Sequence, residues 1–145
     1  MKKKIEIKYH DSQLSRIEKI SVGDWIDLRT AENVTLHEGD FKLISLGVSI
    51  KLPKGYEAII VPRSSTFGRY GIIMTNSMGV IDESYSGNND IWKFPAYCLK
   101  DYTYIPKDTR ICQFRIIKHQ PKIEFKEVSQ LNSFNRGGFG STGIN

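Results

Sequence analysis

Apolar and polar residues alternate with a period of two through most of this chain. Ile5, Ile7 and Tyr9 fall on one face of a first strand, and Ile44, Leu46, Val48, Ile50 and Leu52 on one face of a longer one. Pro53-Lys54-Gly55 marks a turn, and residues 56–61 read as the returning strand. Residues 72–74, 91–99, 110–118 and 123–128 are further strand candidates. Pro95 cannot donate to a ladder, so it assigns the middle of 91–99 to a sheet edge or a bulge. No segment sustains a helical period, and the pattern leaves room for one short helical turn over residues 65–70, after Pro62. Many short strands separated by Gly/Pro turns predict an all-β sandwich or barrel.

A length of 145 residues makes one domain the default and allows a core that needs no disulfide or metal staple. The two cysteines, Cys98 and Cys112, make no framework and are expected to be reduced, half-buried strand residues of a cytosolic protein. No apolar run approaches the roughly 18 residues of a membrane span. The basic start, Met1-Lys2-Lys3-Lys4, runs into an alternating segment and not into an apolar signal core. A cytoplasmic location without membrane attachment is therefore expected. A net charge of +5 suits nucleic acid, nucleotide phosphates or simply a solvated basic surface. The basic residues show no aromatic-interleaved stripe, so stable nucleic-acid binding is not expected. Residues 131–145 carry four glycines and almost no core signal, which divides the chain into a domain over 1–130 and a flexible arm over 131–145.

Five segments carry candidate chemistry. Gly23-Asp24-Trp25-Ile26-Asp27-Leu28 sets Asp27 on the face opposite Ile26 and Leu28, where its carboxylate either meets solvent or sits near a hydrated Mg²⁺. Pro62-Arg63-Ser64-Ser65-Thr66 offers a guanidinium fork and three hydroxyls after a strand end: phosphate donors, or a simple helix cap. In Gly79-Val80-Ile81-Asp82-Glu83-Ser84-Tyr85-Ser86-Gly87, an apolar strand end runs into a turn with Asp82 at its lip. Asp82 either caps that turn or acts as a general base that orients a water, and Tyr85 offers a flat face to a sugar. In Thr109-Arg110-Ile111-Cys112-Gln113-Phe114, strict alternation puts Arg110, Cys112 and Phe114 on one face and Ile111, Gln113 and Arg115 on the other. Finally, Arg136-Gly137-Gly138-Phe139-Gly140-Ser141-Thr142-Gly143 combines a cation, a stacking ring, hydroxyls and glycines whose N–H groups can converge on an anion. It lacks the Gly-Lys-Ser/Thr of a P-loop and reads either as a frayed end or as a lid that orders on phosphate.

In this order, these segments resemble the five motifs of the homotrimeric dUTP pyrophosphatases (dUTPases), over nearly the whole chain from Gly23 to Gly143. The resemblance implies a β jelly-roll with at most one short helix. It assembles as a homotrimer with exchanged C-terminal arms and active sites shared between subunits. It implies an enzyme that hydrolyses dUTP to dUMP and pyrophosphate with Mg²⁺, limiting uracil incorporation into DNA and supplying dUMP for dTTP synthesis. Asp82 would activate the water that attacks the α-phosphate and bond the deoxyribose 3′-OH. Tyr85 would pack on the sugar and exclude a 2′-OH. Asn76 with the backbone of Gly79, Val80 and Ile81 would form a hairpin that reads uracil. Arg63, Ser64, Ser65 and Gln113 would bind phosphates, and Asp27 would help position the metal, held mainly by the triphosphate, through water. Arg136 would act as an arginine finger and Phe139 would cap the uracil, while Gly140, Ser141 and Thr142 wrap the phosphates.

Two departures from the pattern stand out. Trp25-Ile26 occupies positions where the family commonly has small residues, which puts local packing in question. The stretch 88–107 is longer than usual and holds Trp92 and Phe94, expected either as core and interface residues or as an extra stacking group. The dCTP deaminases, a neighbouring family of the same fold, favour Phe at the Tyr85 position and need a Glu shortly beyond it; residues 88–93 offer none. A regulatory protein partner is not legible in the residues.

Overall fold

The computed structural model describes residues 2–140 and residue 143, and the calls on Ser141 and Thr142 lie outside them. In chain order its strands are β1 (Glu6–Tyr9), β2 (Ile26–Arg29), β3 (Val34–His37), β4 (Phe41–Ser45), β5 (Val48–Lys51) and β6 (Tyr56–Pro62). After the helix α1 (Thr66–Tyr70) come β7 (Ile72–Met74), β8 (Gly79–Ile81), β9 (Lys93–Cys98), β10 (Tyr102–Ile105) and β11 (Arg110–Lys118). All pairings are antiparallel: β1 with β5, β3 with β10, a three-stranded sheet β4-β9-β7 and a four-stranded sheet β2-β11-β6-β8. The strand-rich class with one short helix is what the alternation called for, and the jelly-roll type is what the resemblance implied.

Inward positions of these ladders supply the core. Leu28, Val34, Ile44, Leu46, Val48, Ile60, Ile72, Phe94, Ile105 and Phe114 are almost completely buried. Trp92 joins them at 0% exposure, its ring edge-on to Phe114 at 5.3 Å, so Trp92 and Phe94 of the long 88–107 stretch are both core. Trp25 is half-buried, with the Arg115 guanidinium 5.4 Å from its ring centre, and Ile26 packs against the core.

The single long strand expected over residues 44–52 is broken in two. Gly47 lies at φ 67°, and a Cβ there would stand 2.8 Å from the Ala31 Cβ and 2.9 Å from Leu14 Cδ2. The bend lets β4 pair with β9 and β5 with β1. Trp92 bridges it, accepting from the Leu46 N–H and donating to the Val48 carbonyl, both at 2.9 Å. Pro95 was expected at an edge or bulge, yet β9 is the central strand of its sheet. It is tolerated because its carbonyl, and hence its donor-less nitrogen, faces Thr75, one residue past the end of β7. Both cysteines are free and fully buried, not half-buried. A register shift between Arg110 and Cys112 breaks strict alternation and buries Ile111 and Cys112 together.

Residues 123–128 form no strand. Ile123, Phe125 and Val128 are 58%, 92% and 48% exposed, with no strand of the same chain beside them to complete a ladder. At the other end, residues 10–17 are lashed across the fold by a Lys107–Asp11 ion pair, bonds from Ser15 to Asp108, and an Ile17 N–H bond to the Tyr9 hydroxyl.

Candidate active site

Two clusters of candidate residues lie at opposite ends of β6. The first follows β8. Gly79 sits opposite Ile60 of β6, where a Cβ would come within 3.3 Å of Ile60 and Met74, so a glycine lets this short strand dock closely. The chain then turns at Asp82. Its carbonyl accepts from the Tyr85 N–H at 2.9 Å, and its carboxylate Oδ1 accepts from both the N–H and the hydroxyl of Ser84, each at 2.8 Å. Those two bonds hold the exposed Asp82 carboxyl below the ordinary carboxylate range, with His119 adding a smaller favourable charge. The Tyr85 hydroxyl donates to the Ile91 carbonyl at 2.9 Å, which fixes its ring beside the same turn.

Neighbouring Glu83 ties this turn to the rest of the fold. Its Oε2 accepts from the Gly55 N–H at 3.0 Å and lies 3.6 Å from His119 Nε2, while the His119 N–H donates to the Gly55 carbonyl. Asp82, Glu83, His119, Gln120, Tyr56 and Glu57 line one open cleft. Asn76 is exposed in the turn between β7 and β8, where Ser77 adopts φ 60°. The two strands flanking that turn do not pair with each other: β7 joins β9 and β8 joins β6, so the expected hairpin is a crossing between sheets.

The second cluster gathers where β2, β11 and β6 end together. Register sets Gln113 beside both Asp27 and Val61. Asp27 lies 3.3 Å from Arg63 Nε and 3.8 Å from Arg110 Nη1, one carboxylate between two guanidiniums. Arg63 also donates to the Arg110 carbonyl at 3.4 Å, and Gln113 to the Pro62 carbonyl at 3.4 Å. Thr66, 1% exposed, pins the turn: its hydroxyl donates to the Ile111 carbonyl at 2.6 Å and accepts from the Arg63 N–H. Ser65, at the N-cap, makes no capping bond, and Ser64 is exposed, so neither serves as the helix cap. Burial pushes the Cys112 thiol far up and Asp27 adds to this, which leaves it a packing residue without nucleophilic character.

Asp27 thus faces two arginines instead of open space. Among the described residues, no three His, Cys, Asp or Glu side chains form a metal-binding group. Arg110 belongs to this cluster although the alternation marked it only as a strand position. Its contact with Asp27 depends on the pairing of β2 with β11, which no local pattern encodes.

One chain does not bring the two clusters together. Asp82 lies one step beyond the Ala58–Ile81 pair, level with Glu57, and Arg63 is six residues further along the same line. At about 3.3 Å per residue the separation is ~20 Å. Among the described residues the arm adds no third contact: Arg136 bonds the adjacent Gly137 carbonyl, at 3.4 Å, and Phe139 is fully exposed at φ 48°.

The dUTPase family model matches residues 21–143. The SPbeta prophage-derived deoxyuridine 5′-triphosphate nucleotidohydrolase of Bacillus subtilis is 58% identical over 139 residues, covering 96% of this chain and 97% of that one. The deoxyuridine 5′-triphosphate nucleotidohydrolase of Finegoldia magna is 40% identical over 123 residues, covering 81% and 83%. Among solved structures, a variant of the Staphylococcus bacteriophage 80alpha dUTPase with dUpNHpp superimposes at a TM-score of 0.80 with 20% identity, covering 99% of this chain and 100% of that one. With a family model spanning most of its length and relatives this similar along nearly all of it, the chain belongs to the dUTPase family.

Proposed function

We propose that this dUTPase hydrolyses dUTP to dUMP and pyrophosphate by in-line attack of a water held by Asp82. The observation that carries the mechanism is the Asp82 carboxylate, ionised at neutral pH and oriented by its own turn. As the water oxygen bonds to the α-phosphorus, its proton passes to Asp82 and the bond to the pyrophosphate oxygen breaks. Tyr85 stacks on the deoxyribose and leaves no room for a 2′-OH; Asn76 and the backbone of Gly79, Val80 and Ile81 read uracil. A base with the wrong donor pattern leaves buried polar groups unpaired, a strong discriminator.

Arg63, Ser64, Ser65 and Gln113 receive the phosphates. Since they stand ~20 Å from Asp82 in one chain, the complete site takes Asp82 from one subunit and the phosphate cluster from the next. A homotrimer satisfies this. The outer face of the β4-β9-β7 sheet, where Phe41, Leu43 and Ile73 are 58%, 51% and 40% exposed around Tyr97 and Pro95, supplies apolar surface for such an interface. A domain over 1–130 then carries an arm, 131–145, that crosses to a neighbour's site. There Arg136 meets the γ-phosphate, Phe139 covers the uracil, and Gly140, Ser141 and Thr142 wrap the phosphates.

The Asp27 carboxylate is already paired with two arginines, so it would reach a Mg²⁺ carried in on the triphosphate only through water. Bound there, the ion would neutralise phosphate charge. In the cell this activity would limit uracil in DNA and supply dUMP. No helix among the described residues is long and apolar enough to cross a membrane, and a cytoplasmic site of action is proposed. The test is pyrophosphate release with Mg²⁺ from dUTP, dCTP and UTP at equal concentrations. Release from dUTP alone is expected, and equal turnover of dCTP overturns the uracil assignment.

A further inference from the structure

We infer that Ser84 is a positioning residue for the reaction, and that its hydroxyl and N–H together hold Asp82 so that Oδ2 receives the proton of the attacking water. Both Ser84 bonds end on the same oxygen, Oδ1, at 2.8 Å. A carboxylate accepting two bonds on one oxygen cannot rotate freely about χ2, and its other oxygen is presented in a set direction. Oδ2 takes no hydrogen bond among the described residues. The turn that carries this arrangement is braced, since the Asp82 carbonyl accepts from the Tyr85 N–H and the intervening Glu83 is tied to Gly55. Ser84 is itself exposed, so loss of its hydroxyl opens no buried cavity.

The same bonds set the basicity of Asp82. They stabilise its charged form and keep it ionised further into acid. The other titratable groups of that cleft are Tyr56 and Glu57 from β6, Glu83 from the same turn and His119 from beyond β11. Of these, His119 favours the charge on Asp82. Orientation and basicity therefore have separate signatures: the plateau of kcat reports the first, the acid limb of its pH profile the second.

This inference rests on Asp82 being the base, so the experiment separates the two. Asp82→Asn, Ser84→Ala and Ser84→Thr are compared in kcat, KM and the pH dependence of kcat for dUTP. The Asp82 carboxyl is also titrated by ¹³C NMR in the wild type and in Ser84→Ala. Ser84→Ala is expected to lower the plateau kcat about tenfold with KM unchanged, the loss of one charge-assisted bond. It is expected to move both the acid limb and the NMR titration to higher pH, and Ser84→Thr, which keeps a hydroxyl, to restore all three. If Asp82→Asn retains turnover, the base has been misassigned. If Asp82→Asn is inactive while Ser84→Ala matches the wild type in plateau and acid limb, Ser84 has no positioning role. A loss in Ser84→Ala that threonine does not restore overturns the hydroxyl's part.

Discussion

Mixing two inactive variants tests whether the catalytic aspartate and the phosphate cluster act in the same chain. Asp82→Asn removes the base, and Arg63→Ala removes a phosphate ligand ~20 Å away along β6. No dUTP-sized ligand with its phosphate at Arg63 can present that same phosphate region to Asp82 of one chain across such a gap, so the proposed reaction requires the two clusters to come from different subunits. Loss of a general base costs roughly 100-fold or more, which leaves the Asp82→Asn parent near background. In a randomly mixed trimer, a working site needs its first subunit to carry intact Asp82 and its neighbour to carry intact Arg63. For equal amounts, half of the half meet both conditions, so about one quarter of wild-type specific activity should return after co-refolding. Steady-state pyrophosphate release on the mixture and on each parent gives the answer directly. A mixture no more active than the parents, with mixed trimers shown by differential tagging, would refute the shared site. The same mixing with Arg136→Ala in place of Arg63→Ala asks whether the arm also acts in trans, with the same quarter expected.

Two further outcomes concern stability. Gly47→Ala should destabilise the protein by about 1–3 kcal/mol, because the new methyl meets Ala31 and Leu14 at a positive φ; a urea midpoint equal to the wild type's at matched protein concentration would show that the bend accepts a side chain. Acid should loosen the lash over residues 10–17. The Asp11 carboxyl is held low chiefly by the Lys107 amino group and then by the Gln13 N–H. At Asp108 burial pushes upward but is outweighed by the Ser15 hydroxyl and N–H, with Arg29 and Lys107 helping. Carboxyls depressed in the folded state contribute stability that is present above the ordinary value of about 4 and lost as pH falls through their lower folded values. Amide exchange over residues 13–17, corrected for intrinsic rate, should therefore rise below about pH 4; a flat profile down to the lowest accessible pH would exclude these carboxylates as the lash.

The sequence by itself was enough for the strand-rich class, the short helix near residue 66 and most strand positions, since period-two burial is a local property that a two-sided ladder enforces residue by residue. It singled out Asp82 and Tyr85 as candidates, but those residues alone left a simple turn cap open beside a general base, and the role proposed for them came from the family resemblance. Tertiary structure decided the rest. Whether residues 44–52 run straight depends on how close Ala31 and Leu14 come to Gly47. Whether Pro95 can occupy a central strand depends on where β7 stops. Arg110 enters the phosphate cluster only because β2 pairs with β11. The role inferred for Ser84 rests on the direction of two bonds onto one oxygen, which only the folded turn supplies. The arm's apolar residues Leu131, Phe134 and Phe139 are exposed in the single chain, and the proposed arm exchange would give them a surface to cover. Local pattern encodes which way a side chain points; which groups meet is set by long-range pairing, and in the proposed shared site also by association between chains, where no spacing along the sequence corresponds to the distance that matters.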